Sequence, residues 1–148
     1  MQIRDIVKVK NIAVRGGKIL SVSPETSLDD AAKLLGENNV GLMVVLDNDN
    51  LVGVLSERDI VRAISKGGAA ALDRKTGDVM TKGVKACQPT DHPFDIMQAM
   101  TKGRFRHMPV MDGDMLQGLI SATDILRYVT EKASPQEQAM MWTKISWV

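Results

Sequence analysis

The sequence predicts an α/β protein made of two β-α-β-β-α repeats packed with pseudo-twofold symmetry, and three observations lead there. Gly53-Val54-Leu55-Ser56-Glu57-Arg58-Asp59 and Gly118-Leu119-Ile120-Ser121-Ala122-Thr123-Asp124 share glycine, serine and aspartate at the same spacing, 65 residues apart throughout, which marks an internal repeat. Each phrase closes a short apolar run of strand length and opens a stretch with apolar residues at helical spacing, the pattern of a strand entering a helix. Each repeat alone is too small to bury a sheet face, so two of them must pack together.

In the first repeat, Ile19 to Val22 reads as a strand and Pro24 to Ser27 as a turn. Leu28, Ala31, Ala32 and Leu35 share a helix face, with Ser27 and Asp30 at the spacing of a weak capping box. After Glu37-Asn38-Asn39, the runs Leu42 to Leu46 and Leu51 to Leu55 form a hairpin around the turn Asp47 to Asn50. Ser56 opens a helix carrying Ile60, Val61 and Ile64, and Gly67-Gly68 stops it. The second repeat keeps this order: strand Val84 to Cys87, Pro89 turn, helix from Pro93 to a stop at Gly103, strands Met108 to Met111 and Met115 to Ile120 around Asp112-Gly113, and a helix from Ser121 through Val129.

The resulting division is an N-terminal segment 1–18, a first repeat 19–68, a linker 69–80, a second repeat 81–132 and a C-terminal helix 133–148. Gly67 to Gly77 is rich in alanine and glycine and leads into a short helical turn at Asp78-Val79-Met80. Ser134-Pro135-Gln136-Glu137 carries an N-cap, a proline at the first helical position and a glutamate three residues after the cap. The helix it begins puts Met141, Ile145 and Val148 on one side with Trp142 nearby, a stripe that either covers the protein's own surface or meets a partner chain.

Composition narrows the function. Nineteen basic and eighteen acidic residues give a net charge of +1 and no broad field for a polyanion, and 3% aromatic residues offer few platforms for unpaired bases. Lys102, Arg104, Arg106 and His107 are a local basic cluster, readable as a solvated loop or as a contact for anions. The longest apolar runs are of strand length, and Met1 to Asp5 is polar where a signal peptide would need its apolar core, so neither membrane nor export is expected. One cysteine, Cys87, allows no internal disulfide and fits a reducing cytoplasm. Neither His92, read as an exposed turn residue, nor His107 has a metal-ligand partner at useful spacing, so no metal is expected. No nucleophile–base constellation can be built around Cys87, Ser56 or Ser121, so no enzyme activity and no catalytic residue are expected.

Ser-x-x-Asp after a strand has two readings. The structural one is an N-cap, worth about 1 kcal/mol. The chemical one uses the same geometry, because a helix N-terminus favours an anion and an aspartate in its first turn can accept from both hydroxyls of a ribose. Two copies at matching places favour the second.

With the repeat order, Arg106-His107-Met108-Pro109-Val110, Asp78-Val79-Met80-Thr81 and both Gly-x-x-Ser-x-x-Asp phrases in view, the chain resembles a tandem pair of cystathionine β-synthase (CBS) domains, a Bateman module, over residues 19 to 132. Stand-alone proteins with a phrase like Ser56 to Asp59 look especially close. The resemblance implies clefts between the repeats that bind AMP, ADP, ATP or NAD, and in some members S-adenosylmethionine, within a regulatory sensor that reports to an unknown target protein. It implies that Asp59 and Asp124 hold ribose hydroxyls, with Ser56 and Ser121 near phosphate or ribose. The base would lie against backbone at Ile19, Leu20, Val40 and Gly41 in the Asp124 cleft, and at Thr81, Val84 and Arg106 to Met108 in the Asp59 cleft. Arg106 and His107 would supply cationic contact to the Asp124 cleft and Arg58 to the Asp59 cleft, with Thr123 standing where the second repeat lacks such an arginine. The first repeat is read as placing Val40-Gly41 against Arg106-His107, and Met43 against the family-like Pro109, so the clefts need not be equivalent. A homodimer of four repeats is implied, and the faces Leu28/Ala31/Leu35 and Phe94/Met97/Met100 are the expected contact. The alternatives are a nucleic-acid-binding or scaffold protein of this family without a nucleotide ligand, and an enzyme.

Overall fold

Elements recur in this chain with the same bounds 65 residues apart. A computed structural model describes residues 1–9, 14–15 and 18–144. Helix α1 (Ile3–Val9) precedes strands β1 (Val14–Arg15), β2 (Lys18–Ile19) and β3 (Ser21–Val22). Helix α2 (Leu28–Asn38), strands β4 (Leu42–Asp47) and β5 (Asn50–Ser56) and helix α3 (Glu57–Gly67) complete the first repeat. A 3-10 helix (Gly68–Asp73) and α4 (Thr76–Val79) follow. Then α5 (Pro93–Gly103), β6 (His107–Asp112), β7 (Met115–Ser121) and α6 (Ala122–Lys132) restate α2 to α3, and α7 (Pro135–Lys144) ends the described chain.

The repetition extends to irregularities. The β4–β5 ladder shifts register after Val45 and the β6–β7 ladder after Val110, the same bulge in both copies. Helices α2 and α5 both end on a residue in the left-handed region, Asn39 (φ 52°) and Arg104 (φ 57°). Parallel pairing of Val22 with Val45 is matched by a single bridge from Cys87 to Val110, where the Cys87 N–H donates to the Pro109 carbonyl at 2.9 Å.

Two compact units result, Met1–Ile12 with Lys85–Val148, and Ala13–Val84. In the second of these, Val22, Leu28, Ala31, Leu35, Met43, Leu55 and Ile60 form the core. In the other, Ile3 and Ile6 from α1 are buried with Phe94, Met100, Ile120, Ile125 and Val129, so the first helix of the chain belongs to the core of the second repeat. It is held there by the Ile3 N–H donating to the Asp91 carbonyl at 2.9 Å and the Arg4 N–H to the Pro89 carbonyl at 2.8 Å.

Several expectations are corrected. Strand Ile19 to Val22 is two short strands: Ile19 pairs with Val14, and after Leu20 the chain turns its hydrogen bonds to β4. Of the expected strand Val84 to Cys87, only Cys87 bridges. The alanine-rich linker is a helical segment anchored by Ala71, and Thr76, fully buried, donates N–H and hydroxyl to the Thr26 carbonyl at 2.8 Å each. His92 is not an idle turn residue, because its Nδ1 accepts from the Phe94 N–H at 3.1 Å and caps α5. The Leu28/Ala31/Leu35 face, with Phe94 and Met100, is core rather than contact surface; exposed apolar helix residues among those described include Val61 and Ile64 on α3, Leu126 on α6, and Met140 and Trp142 on α7. Ser134 and Glu137 form the expected reciprocal cap, and Met141 is buried in the core of its own unit, whereas Ile145 and Val148 lie outside the described residues.

Candidate functional site

The two Ser-x-x-Asp phrases adopt one geometry. Ser56 (φ −108°, ψ 160°) and Ser121 (φ −111°, ψ 160°) leave their strands in the same extended conformation, and each is the N-cap of an eleven-residue helix. Ser56 Oγ accepts from the Asp59 N–H at 3.1 Å while Asp59 Oδ2 accepts from the Ser56 N–H at 2.9 Å. In the other copy Ser121 Oγ accepts from the Asp124 N–H at 3.1 Å, and Asp124 Oδ2 accepts from the Ser121 N–H at 2.7 Å and its hydroxyl at 2.6 Å. The next N–H of each helix donates to a carbonyl at the start of the neighbouring strand: Glu57 to Gly41 and Ala122 to Arg106, both at 2.9 Å.

These bonds fix the equivalence of the repeats and correct it by one residue. Gly41 matches Arg106, and Leu42, which faces Ser56, matches His107, which faces Ser121. The counterpart of Pro109 is therefore Val44, paired with Val54 as Pro109 is with Leu119, and not Met43. Applying the 65-residue offset residue by residue finds this register from the sequence alone.

The unit Ala13–Val84 contains Ile19, Leu20, Val40, Gly41, Ser56, Arg58, Asp59, Thr81 and Val84. Thr81 is tied directly to the cap. Its N–H and carbonyl exchange hydrogen bonds with Val54 at 2.9 and 3.1 Å, and its hydroxyl donates to Asp59 Oδ1 at 3.3 Å and Oδ2 at 3.4 Å. Asp59 is 9% exposed, so these polar contacts keep a nearly buried carboxylate satisfied. Gly53 is required by the same docking: a Cβ there would lie 2.7 Å from the Thr81 carbonyl oxygen and 2.8 Å from Met80 Sδ. Arg58 is exposed on the first turn of α3, Ile19 and Val84 are half-buried, and Leu20 and Val40 pack on the core, leaving mainly their backbone for a ligand.

The other unit contains Arg106, His107, Met108, Ser121, Thr123 and Asp124. Arg106 and Thr123 are exposed, His107 and Asp124 are half-buried, and Met108, 2% exposed, faces the core. Burial pushes the Cys87 thiol up to about 12, so it holds no thiolate at neutral pH. Among the described residues no cluster of three or more His, Cys, Asp or Glu is arranged to hold a metal ion, and no helix is long and apolar enough to cross a membrane.

Paired small α/β units, each with a hairpin feeding a boxed helix cap, define a CBS pair, and the chain belongs to that family: the CBS domain matches residues 4–66 and 77–131. It is similar to the mitochondrial CBS domain-containing protein CBSX3 of Arabidopsis thaliana, 31% identical over 143 residues that cover 93% of this chain and 69% of that protein. Among solved structures it resembles a CBS-domain containing protein from Agrobacterium tumefaciens, with 34% identity and a TM-score of 0.79 over 86% of this chain and 98% of that one. It also resembles CBSX2 solved in complex with AMP, with 29% identity and a TM-score of 0.67 over 76% and 88% of the two chains.

Proposed function

We propose that this CBS pair is a non-catalytic sensor of adenine nucleotides, AMP, ADP, ATP or NAD, that transmits its ligand state to a target protein. The observation that carries the reading is the doubled cap. Both aspartates sit at the N-terminus of an eleven-residue helix with one oxygen committed to the cap. A carboxylate offers about four acceptor positions, so the cap leaves capacity for a diol while the helix N-terminus favours the attached phosphate. The AMP complex of CBSX2 supports the ligand class.

In this proposal Asp59 and Asp124 grip ribose, Ser56 and Ser121 stand beside it, and Thr81 trades its hydroxyl bond to Asp59 for the ligand. Arg58 faces phosphate in one site. Arg106 and His107, which flank Ser121 on the hairpin, do so in the other, with Thr123 in place of an arginine. Backbone at Ile19, Leu20, Val40, Gly41, Val84 and Met108 lines the base. The protein assembles as a homodimer of four repeats through the outer faces of α3, where Val61 is 63% exposed and Ile64 is exposed with it, and of α6, where Leu126 is exposed. A buried, protonated Cys87 fits a reducing cytoplasm.

Native mass spectrometry of the purified chain, followed by calorimetric titration with AMP, ADP, ATP and NAD, tests the reading. Binding that stabilises the fold by about 2.7 kcal/mol at a hundredfold excess over Kd is expected. Absence of heat and of thermal stabilisation with all four ligands would refute it.

A further inference from the structure

A hollow of about 370 Å³ lies at the turn end of the β6–β7 hairpin, away from the Ser121–Asp124 cap of the same unit, Met1–Ile12 with Lys85–Val148. Its walls include Arg4 from α1, Gln88 and Thr90 from the turn before α5, Met111 and Asp112 from the end of β6, and Gln117 from β7. The other repeat carries different groups at the matching positions. Its Gly77 N–H donates to the Pro24 carbonyl at 2.8 Å, as Arg4 does to Pro89, but a Cβ on Gly77 would already press on Pro24 at 3.0 Å. Glu25 there, the counterpart of Thr90, is neutralised by Lys75 at 2.6 Å, and Val52 stands where the hollow has Gln117. The feature is therefore particular to one repeat and is not a by-product of the shared fold.

Its chemistry is that of opposed charges held apart. Arg4 and Asp112 line one hollow, yet no ion pair joins them among the described residues. A guanidinium fork matches a carboxylate, and a carboxylate matches an ammonium group. The amides of Gln88 and Gln117 and the Thr90 hydroxyl can complete the hydrogen bonds of both, and Met111 offers an apolar contact. The volume lies at the small end of ligand sites, about 300–1,000 Å³, and admits a compact molecule. We propose that this hollow binds a free α-amino acid as its zwitterion, the carboxylate on Arg4 and the ammonium on Asp112.

The test uses the full chain labelled with ¹³C at the methionine methyls, Met111 being assigned by its loss in Met111→Leu. Each of the common α-amino acids is titrated singly, with acetate and methylamine as probes carrying one charge each. The proposal expects a saturable Met111 shift with at least one amino acid. Arg4→Gln and Asp112→Asn, both at exposed positions, should each weaken it about 10-fold or more, the loss of one charge-assisted hydrogen bond. AMP titration of the same variants stays unchanged, so failure here and failure of the nucleotide reading are separate results. No Met111 shift with any amino acid up to about 10 mM, where a millimolar site would be largely filled, overturns the proposal. So does an equal shift with acetate alone, or binding that survives both substitutions.

Discussion

Gly53→Ala should loosen the joint that brings Thr81 to Asp59. The added methyl would sit 2.7 Å from the Thr81 carbonyl oxygen and 2.8 and 3.1 Å from Met80 Sδ and Cγ. The methionine can swing aside. The carbonyl cannot, because it accepts from the Val54 N–H at 3.1 Å while the Thr81 N–H returns a bond of 2.9 Å. Relief of the clash therefore opens both bonds, at about 1 kcal/mol each, and adds an overpacking cost of about 1–3 kcal/mol if the strand stays in place. The expected loss is about 2–5 kcal/mol, the lower figure for the two bonds alone and the upper with overpacking added. Urea unfolding of wild type and variant measures it, and hydrogen exchange at the Val54 and Thr81 amides localises it. Gly36→Ala is the control: that glycine lies within α2 with nothing within 4 Å of the new Cβ, so the change should stabilise by about 0.5–1 kcal/mol. A Gly53→Ala protein within 0.5 kcal/mol of wild type, with both amides still protected, would show that Thr81 does not depend on this close approach.

Three more outcomes are expected. Asp59→Ala and Asp124→Ala should each cost about 1 kcal/mol through the cap and weaken nucleotide at that site about 10- to 100-fold, read by unfolding and calorimetry; loss of stability with unchanged affinity would leave the aspartates as caps alone. Cys87 should resist a thiol reagent at pH 8 until the protein unfolds. Because its folded pKa, about 12, lies above the unfolded value, its contribution is intact below about pH 9 and falls as pH rises toward 12, a slope that Cys87→Ala should remove from a pH series of unfolding curves. Asn48 and Asp49 turn the β4–β5 hairpin with φ of 48° and 66°; Asp49→Gly, giving the favoured Asn-Gly pair, should stabilise by about 0.5–1 kcal/mol, measured as a rise in Tm.

What could be read from the chain was what local chemistry decides. Short apolar runs flanked by turn residues located both hairpins, and serine followed by an acid three residues on located the caps of α3, α6 and α7. Contacts between distant stretches were not legible. Nothing near Ile3 and Ile6 says that they pack on Ile125 and Val129 rather than on the repeat that follows them. The split at Leu20 and the single bridge at Cys87 depend on which neighbour supplies the hydrogen bonds, and no periodicity encodes that. At the caps, the motif named Asp59 and Asp124 and the family resemblance put Thr81 backbone beside Asp59, but the bond from the Thr81 hydroxyl to Asp59 came from a fold-back across 22 residues that no local pattern encodes.

Burial of α1 in the core completed by Lys85–Val148 has a consequence for how the chain is made. The unit Ala13–Val84 is one uninterrupted stretch and can fold as soon as it clears the ribosome. Ile3 and Ile6 emerge ahead of that unit and yet must wait until β6, β7 and α6 are synthesised, more than a hundred residues later. At about 5–20 residues per second that leaves an apolar helix without its seat for roughly 5–25 seconds, the interval in which a nascent-chain chaperone would find it.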